Sequence, residues 1–294
     1  MTAPAASEPS ITKKQSLDPA AYLRVAIAEK AKKNFVLAHA LYRSAEYLGG
    51  GGVEATDLDA TRLTDQQLMG RGSLYQRNRT ASDLIFSNFP KKDMSIVDVG
   101  GSTGIMSHML TGAKYMLCEP SVNCLFSNDL IISGHKFDLC LSVHVFEHIS
   151  DEKKEEFFES LLELGRDGVV LCNPVEGGDN LELHQFLLDT YGPLEWITDH
   201  MRAGIPTLDV FRDLASKYSL DLQIHPCGNR FISMALFAMQ HFASQVDDPE
   251  ALKRNGRLTR YINARYKDQN STTFPRDYVL IFKRKPKRWW SAFR

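Results

Sequence analysis

Residues suited to bind a small polar ligand are concentrated in the first half of the chain. The run Val97-Asp98-Val99-Gly100-Gly101-Ser102-Thr103-Gly104 joins an apolar segment to a turn of small residues that opens a helix. Glycines let the backbone approach a ligand closely, and the N–H groups at a helix start favour a carboxylate or phosphate. Glu119 ends the next apolar segment after the one that contains Asp98, where an acid can accept hydrogen bonds from both ribose hydroxyls.

The elements that must position these residues alternate in character after Lys92. Short β-branched runs are separated by helical patterns, and in chain order they are SIVDV, YMLCE, FDLCLSV, GVVLCN, LQIHP and YVLIFKR. This alternation predicts a mainly parallel sheet with helices on both faces. A further strand-like piece ends at Asn128-Asp129, which would place these residues beside an adenine edge. Two helical stretches, 181–218 and 231–266, interrupt the second half of the chain.

The N-terminal part has a different pattern. Residues 1–17 are rich in Ala, Ser, Pro and Thr and predict a disordered arm. Asp18 and Pro19 are suited to the N-cap and the first position of a long helix, which would end at the four glycines 49–52. The domain boundaries predicted from these patterns are a helical extension at 18–92, an α/β domain with helical insertions at 93–285, and a basic, aromatic tail at 286–294.

The motif order VDVGGSTG, CEP, ND and FDLCLSVHVFEHI resembles that of class I S-adenosylmethionine-dependent methyltransferases over about residues 94–174. The resemblance implies a seven-stranded Rossmann-like sheet, with S-adenosyl-L-methionine lying across the carboxyl ends of strands one, two and four. It implies that Glu119 binds the ribose and that Asn128 or Asp129 binds the adenine. The residues that it places around the methionine part are Asp98, Gly100, Gly101, Ser102 and Gly104, and it adds Ser142 and His144 to the cofactor site.

Two departures from the family pattern bear on this resemblance. Ser102 stands where the family often has glycine, and Gly101 beside it keeps the turn open. The segment between Glu119 and Phe137 is short, so the helix and third strand that usually fill this gap must be abbreviated. The rival prediction is a nicotinamide-binding domain, which would require the pattern G-x-G-x-x-G. The Gly-Gly-Ser-Thr-Gly turn after Asp98 favours the methyltransferase.

Methyl transfer to a hydroxyl needs in-line alignment and a base that removes the proton. His144, Glu147 and His148 follow the fourth strand, where the family places residues of the substrate entrance. We predict His144 or His200 as the base and include Glu147 among the catalytic residues. The alternative is that Glu147 and His148 only cap the helix beginning near Asp151.

The spacing His-x-x-Glu-His allows a metal as a minority alternative to a metal-free site. It is similar to the Glu-x-x-Glu-His element of ubiquinone-pathway and small-RNA 2′-O-methyltransferases, which hold a divalent ion. Here His144 replaces the first glutamate, so Glu147 and His148 would need a further ligand from His184 or His200.

A stretch downstream of the cofactor motifs suggests the acceptor. The sequence EWITDHMRAGIP at 195–206 resembles a subset of bacterial methyltransferases associated with glycan assembly. If this resemblance holds, Trp196 and His200 face a sugar-like acceptor, and otherwise Trp196 belongs to the core. The predicted activity is O-methylation of a hydroxyl on a glycan or lipid-linked sugar. The alternatives are a small-molecule methyltransferase acting on a phenol or carboxylate, and a catalytically silent fold that serves as a binding module.

Composition limits the partners and the location. The formal net charge of −1 gives no general attraction to nucleic acid, so a nucleic-acid partner is not expected. Five cysteines without a CxxC pair, and the lack of a signal peptide or long apolar run, predict a cytoplasmic protein. The segment 283–294 has six basic residues and three aromatic ones, which predicts peripheral contact with an anionic bilayer. A solvated tail is the alternative, and the sequence does not set the oligomeric state.

Overall fold

The computed structural model describes residues 10–50, 55–177 and 180–285. The N-terminal part is helical, and a short 3-10 helix at Lys13–Gln15 precedes its α-helices. These are α1 (Pro19–Ala31), α2 (Phe35–Tyr47), α3 (Ala55–Thr61), α4 (Asp65–Met69) and α5 (Leu74–Asn88). Asp18 caps α1 by accepting a hydrogen bond from Ala20 N at 3.0 Å. The long helix predicted from Asp18 is therefore wrong, because Lys33, with a φ of +63°, turns the chain between α1 and α2.

The predicted disordered arm extends too far along the chain. Residues 1–9 lie outside the described part, but Ile11 is only 3% exposed and belongs to the main hydrophobic core. Tyr22 Oη donates to Ser16 O at 2.7 Å. Residues 10–17 therefore pack against the domain, because one buried isoleucine and a tyrosine contact fix them.

The described residues form one six-stranded sheet rather than the seven-stranded sheet that the family resemblance implies. Its strands are β1 (Ser95–Val99), β2 (Lys114–Cys118), β3 (Phe137–Val143), β4 (Gly165–Asn173), β5 (Leu220–Cys227) and β6 (Asp277–Arg284). Their order is β2-β1-β3-β4-β6-β5. Strands β1 to β4 pair in parallel, whereas β6 runs antiparallel to both of its neighbours.

The missing strand is the piece predicted to end at Asn128-Asp129. That segment folds instead into two short helices, α7 (Pro120–Asn123) and α8 (Ser127–Ile132), because the stretch before β3 is too short for both a helix and a parallel strand. The outer edge of β2 is covered by side chains: Leu117 N donates to Ser44 Oγ at 2.9 Å, and Leu117 O accepts from Asn123 Nδ2 at 2.7 Å. Polar side chains thus protect an edge that another strand would otherwise occupy.

The remaining helices cover the sheet and form insertions near its carboxyl edge. They are α6 (Met106–Met109), α9 (Asp151–Leu164), α10 (Asn180–Tyr191), α11 (Glu195–Ala203), α12 (Leu208–Lys217), α13 (Arg230–Gln245) and α14 (Pro249–Tyr266), together with a 3-10 helix at Phe146–His148. The predicted helical stretch 181–218 thus contains three helices, and the stretch 231–266 contains two. Among the described residues, no helix is long and apolar enough to cross a bilayer.

Two hydrophobic clusters lie on opposite faces of the sheet. Val97 packs in one cluster with Tyr22 and Tyr42 of the N-terminal helices, while Ile96 packs in the other with Ile85 of α5. Alternate residues of a strand point to opposite faces, so β1 is covered on both sides. The N-terminal helices therefore contribute to the same core as the sheet.

Candidate functional site

The sheet changes winding direction beside β1. The chain leaves β1 for β2 on one side and returns to β3 on the other, so the loops that follow β1 and β3 diverge. Ligands of open α/β sheets bind in the crevice at such a point, outside the carboxyl ends of the strands. The turn 100–104, Glu119 and the segment 144–148 follow β1, β2 and β3, respectively, and the fold therefore brings these three predicted groups to one edge.

The turn after β1 needs glycine at defined positions. Gly100 has a φ of +74°, and a Cβ there would lie 2.3 Å from Val145 Cγ2. Gly104 has a φ of +75°, and its Cβ would lie 2.3 Å from Ala40 Cβ of α2. Ser102 also has a positive φ, of +50°, between these two glycines. The turn is therefore packed between the loop after β3 and helix α2, with no space for side chains at its two glycine ends.

Asp98 lies beneath this turn and not on its open side. It is fully buried and accepts a hydrogen bond from Tyr115 Oη at 2.7 Å. A Cβ on Gly101 would lie 2.5 Å from Asp98 Oδ2, so the acid and the glycine are in close contact. Burial raises the pKa of Asp98 to about 7. Asp98 thus packs against the buried side of the turn.

Glu119 joins the loops that follow β1 and β2. Its Oε2 accepts a hydrogen bond from Ser102 N at 2.9 Å, and its Oε1 accepts from Ser121 N at 3.1 Å and Ser121 Oγ at 2.7 Å. Asn123, which the sequence analysis missed, accepts a hydrogen bond from Glu119 N at 3.1 Å. The asparagine that closely follows the strand end is the local signal for this support.

The remaining predicted cofactor residues have other contacts. Asp129 accepts from Phe126 N at 2.9 Å and forms an ion pair with Lys13, so its carboxylate caps α8. Asn128 is exposed on the same helix. Ser142 is buried and donates to Val99 O at 2.9 Å, which ties together the ends of β1 and β3.

His144 is held between two buried carboxylates. Its Nε2 hydrogen-bonds with Asp277 Oδ1 at 3.0 Å, and its Nδ1 lies 3.0 Å from Glu147 Oε1. Burial alone would raise the pKa of Asp277, but His144 and Arg276 outweigh it and hold that pKa well below its usual range. Asp277 was not among the predicted site residues, although it is an acid at the start of the last apolar strand. Asp277 thus engages Nε2 of His144, while Nδ1 faces the carboxylate of Glu147.

Glu147 faces the interior. It is fully buried, and its Oε2 accepts a hydrogen bond from Asn173 Nδ2. The N-cap residue of α9 is Ser150, so the interpretation of Glu147 as a cap for that helix is wrong.

His200, on α11, differs from His144 because Glu147 Oε1 lies 3.9 Å from its Nε2, beyond hydrogen-bonding distance. It is 5% exposed, and neither ring nitrogen has a hydrogen-bond partner among the described residues. Burial lowers the pKa of His200 to about 4, so the ring is neutral near pH 7. Its ring centroid lies 4.8 Å from that of His148, 5.5 Å from that of His184 and 5.4 Å from that of Trp196.

Two adjacent cavities lie beside these rings. Cavities of about 420 Å³ and 130 Å³ share His144, His200, Trp196 and Phe237 in their walls. Trp196 is 39% exposed and stands edge-on to His200, so the interpretation of Trp196 as a core residue is wrong. The walls of these cavities therefore combine aromatic rings with the imidazole rings of His144 and His200.

One group of side chains has the composition of a metal site. Glu147, His148 and His200 each offer one ligand atom, and these atoms lie within 4.8 Å of one another. Imidazole and carboxylate ligands suit first-row transition metals. Of the two histidines considered as the further ligand, His200 is the member of this group.

Comparisons with known proteins return matches to solved structures only. No protein-family model and no curated protein matches the chain. Similar solved structures include a cyclopropane-fatty-acyl-phospholipid synthase-like protein from Lactobacillus casei (12% identity, 74% of this chain and 92% of that chain covered, TM-score 0.41). They also include the plantazolicin methyltransferase BpumL in complex with SAH (16% identity, 88% and 99% covered, TM-score 0.42).

A third similar structure is the methyltransferase domain of bacterial-CtHen1-CN (13% identity, 72% and 100% covered, TM-score 0.40). Fold similarity at this level does not transfer activity or substrate.

Proposed function

We propose that the protein is an S-adenosylmethionine-dependent methyltransferase that methylates a hydroxyl on a glycan or a lipid-linked sugar. The observation that carries the proposal is the 2.9 Å hydrogen bond from Ser102 N, in the glycine turn after β1, to Glu119 Oε2, at the end of β2. This carboxylate lies beside a glycine turn at the point where the sheet changes winding direction. A carboxylate there is suited to bind the hydroxyls of a ribose.

The residues of this crevice fit the proposed cofactor. Gly100 and Gly101 let the backbone of the turn pack directly on Val145 and on the buried Asp98. Glu119 would exchange the N–H of Ser102 for the ribose hydroxyls, which can donate to the same oxygen. When bound, the cofactor would supply an electrophilic methyl group on a sulfonium. Asp98, Gly100, Gly101, Ser102, Gly104, Glu119, Ser142 and His144 remain our cofactor-site residues, with Asn128 or Asp129 for the adenine.

His200 is the better candidate for the base. The acceptor oxygen would form its bond to the methyl carbon while its proton passes to a ring nitrogen of His200. This assignment is supported by the neutral state of His200 and by its unpartnered nitrogens at the cavity wall. His144 would act as a positioning residue, because Asp277 and Glu147 engage its two nitrogens.

The glycan acceptor is supported by the cavity wall. Trp196 and Phe237 line both cavities, and their rings lie 6.2 Å apart in an edge-to-face arrangement. Rings of this type can stack on the apolar face of a sugar, while histidines accept its hydroxyls. A small-molecule phenol is the alternative acceptor for the same wall.

A metal-assisted reaction is the second candidate, because Glu147, His148 and His200 offer ligand atoms that lie within 4.8 Å of one another. A divalent ion held there would occupy a nitrogen of His200 and would lower the pKa of the acceptor hydroxyl, replacing the base. The two candidates assign different roles to the same histidine.

The first prediction tests the cofactor site by calorimetry with S-adenosylhomocysteine. Replacing Glu119 with alanine removes a charge-assisted acceptor, which costs about 1.5 to 3 kcal/mol, or about tenfold to a hundredfold in affinity. Glu156→Ala, which changes an exposed acid on α9, is the matched control and should bind like the parent. Unchanged binding by folded Glu119→Ala protein would contradict the site.

The same titration separates the classes of function. An enzyme should bind S-adenosylhomocysteine and transfer methyl groups to an acceptor. A silent binding module should bind it without turnover on either glycan or phenolic acceptors, and a chain that does not bind it at all is not a methyltransferase.

A further inference from the structure

Three arginines line the larger cavity beside His200. Arg71 lies in the loop after α4, Arg77 lies on α5, and Arg276 immediately precedes β6. Arg276 is distant in sequence from the other two, and the fold brings all three side chains to one wall. Phe237 and Trp196 line the same cavity. An apolar ring surface therefore lies in the same cavity as a basic one.

Arg77 and Arg276 are close enough to influence each other. Burial lowers the pKa of Arg77, and the charge of Arg276 lowers it further. The Nε of Arg77 is buried without a hydrogen-bond partner among the residues described here. A buried guanidinium donor without an acceptor is unfavourable unless a ligand supplies the acceptor.

Two carboxylates, Asp277 and Glu147, act on Arg77 and also contact His144. Asp277 Oδ1 hydrogen-bonds with His144, and its Oδ2 lies 3.4 Å from Arg276 Nε. Glu147 accepts from Asn173 and lies beside His144. Arg71 forms no ion pair with any residue in the described ranges. The three arginines thus exceed these two carboxylates by one positive charge, and both carboxylates also contact His144.

Arg276 is positioned firmly while keeping donors for a ligand. Its Nη1 donates to Ser73 O at 2.9 Å, which fixes the side chain against the loop before α5. Guanidinium groups present planar pairs of N–H donors that match the oxygens of phosphate or carboxylate. The wall therefore has the chemistry of an oxyanion site.

We infer that the methyl acceptor carries an oxyanion, a phosphate or a carboxylate, which binds Arg71, Arg77 and Arg276 while the acceptor hydroxyl faces His200. The identity of this ligand as a methyl acceptor rests on the proposed function, whereas the anion site does not. The acceptor is accordingly an anionic sugar derivative, with its ring against Trp196 and Phe237. The basic wall would discriminate against a neutral glycan, because its guanidinium groups would lose water without gaining an acceptor.

The test is calorimetry of the full chain with matched probes. Glucose 1-phosphate, inorganic phosphate, glucuronate and glucose are titrated into the parent protein and into Arg71→Gln and Arg77→Gln. We expect glucose 1-phosphate to bind at least tenfold more tightly than glucose and to lose at least tenfold in affinity in each variant. Arg212→Gln, an exposed arginine on α12, is the matched control and should bind like the parent.

The probes distinguish the source of the oxyanion. Tighter binding of glucose 1-phosphate than of glucuronate assigns a phosphate, and the reverse order assigns a carboxylate, provided that the variants weaken the preferred probe. Arg71 is exposed, so Arg71→Gln keeps the test valid if Arg77→Gln does not fold.

Equal binding of charged and neutral probes would overturn the inference, as would unchanged anion binding in the folded variants or no anion binding at all. S-adenosylhomocysteine is titrated in parallel and should bind all variants like the parent. A parent protein that does not bind S-adenosylhomocysteine would contradict only the proposed function. Loss of anion selectivity with normal S-adenosylhomocysteine binding would contradict this inference alone.

Discussion

At the scale of single residues, the two histidines predicted as alternative bases have opposite environments. His144 has a carboxylate at each nitrogen, whereas His200 has none within hydrogen-bonding distance. We expect His200→Gln to lower kcat by about 10²-fold or more, the usual contribution of a base, with S-adenosylhomocysteine affinity unchanged. Single-turnover rates and calorimetry check this expectation.

The matched comparison is His144→Gln, which should mainly lower stability. It would leave Asp277 and Glu147 buried with fewer partners, and unpaired buried charges are costly. Equal loss of cofactor binding in both variants would make both residues structural. If a chelator abolishes activity and a divalent ion restores it, His200 is a ligand and the metal-assisted reaction applies.

Asp98 provides a pH-dependent prediction. Burial raises its pKa to about 7, so between about pH 4 and pH 7 the folded state binds a proton that the unfolded state has lost. The contribution of the Asp98 carboxyl to the free energy of unfolding is therefore largest below pH 4 and decreases as the pH rises to 7. Asp98→Asn can still accept from Tyr115 and should remove this decrease.

Urea unfolding of parent and variant at pH 4.5 and pH 8 measures this difference. The free energy of unfolding of Asp98→Asn minus that of the parent should increase from pH 4.5 to pH 8. A constant difference between the two proteins would show that Asp98 ionises normally.

At the scale of elements, the glycine turn is positioned by the close approach of helix α2. Gly104→Ala should destabilise the protein strongly, because the new Cβ would lie 2.3 Å from Ala40 Cβ. Gly134→Ala is the matched control: its φ of +73° is similar, and no atom lies within 4 Å of its Cβ. The control should cost about 1 to 2 kcal/mol, the usual cost of a left-handed alanine, and Gly104→Ala should cost more.

Thermal unfolding of a rescue variant separates the clash from the backbone strain. Ala40→Gly removes the contacting methyl group, so adding it to Gly104→Ala should restore part of the lost stability. Equal destabilisation by Gly104→Ala and Gly134→Ala would mean that α2 does not pack against the turn as described.

At the scale of the whole molecule, the N-terminal helices and the sheet share one core, so removal of the helices would expose β1 and β2. The tail at 286–294 lies outside the described residues, and its predicted membrane contact remains a prediction. Each lysine or arginine near an anionic bilayer contributes about 1 kcal/mol, and tryptophan favours the headgroup region. We expect the full-length protein to sediment with anionic liposomes and salt to weaken this binding.

Truncation after Lys285 should abolish sedimentation and leave S-adenosylhomocysteine binding unchanged. Liposomes of neutral lipid are the control for charge. Sedimentation that responds to neither lipid charge nor truncation would support the alternative of a solvated tail.

The sequence by itself determined the features that depend on local patterns. The strand β1, its glycine turn and the acid at the end of β2 follow from alternation, small residues and polar strand ends, which neighbouring residues dictate. The capping of α1 by Asp18 was also local. The predicted third strand was wrong because so short a segment is as compatible with two short helices, and the side chains of Ser44 and Asn123 decided between them.

The tertiary structure alone decided which polar groups meet. His144 and Asp277 lie on distant segments of the chain, and no local pattern signals their contact. No local pattern shows that His144 and His200 have different environments. None shows that Arg71, Arg77 and Arg276 line one cavity. Packing between distant segments determines which side chains are in contact. The burial and the local charge of a side chain depend on every element that packs against it. The sequence thus predicted which polar segments follow the strands, and the tertiary structure decided which of their side chains are in contact.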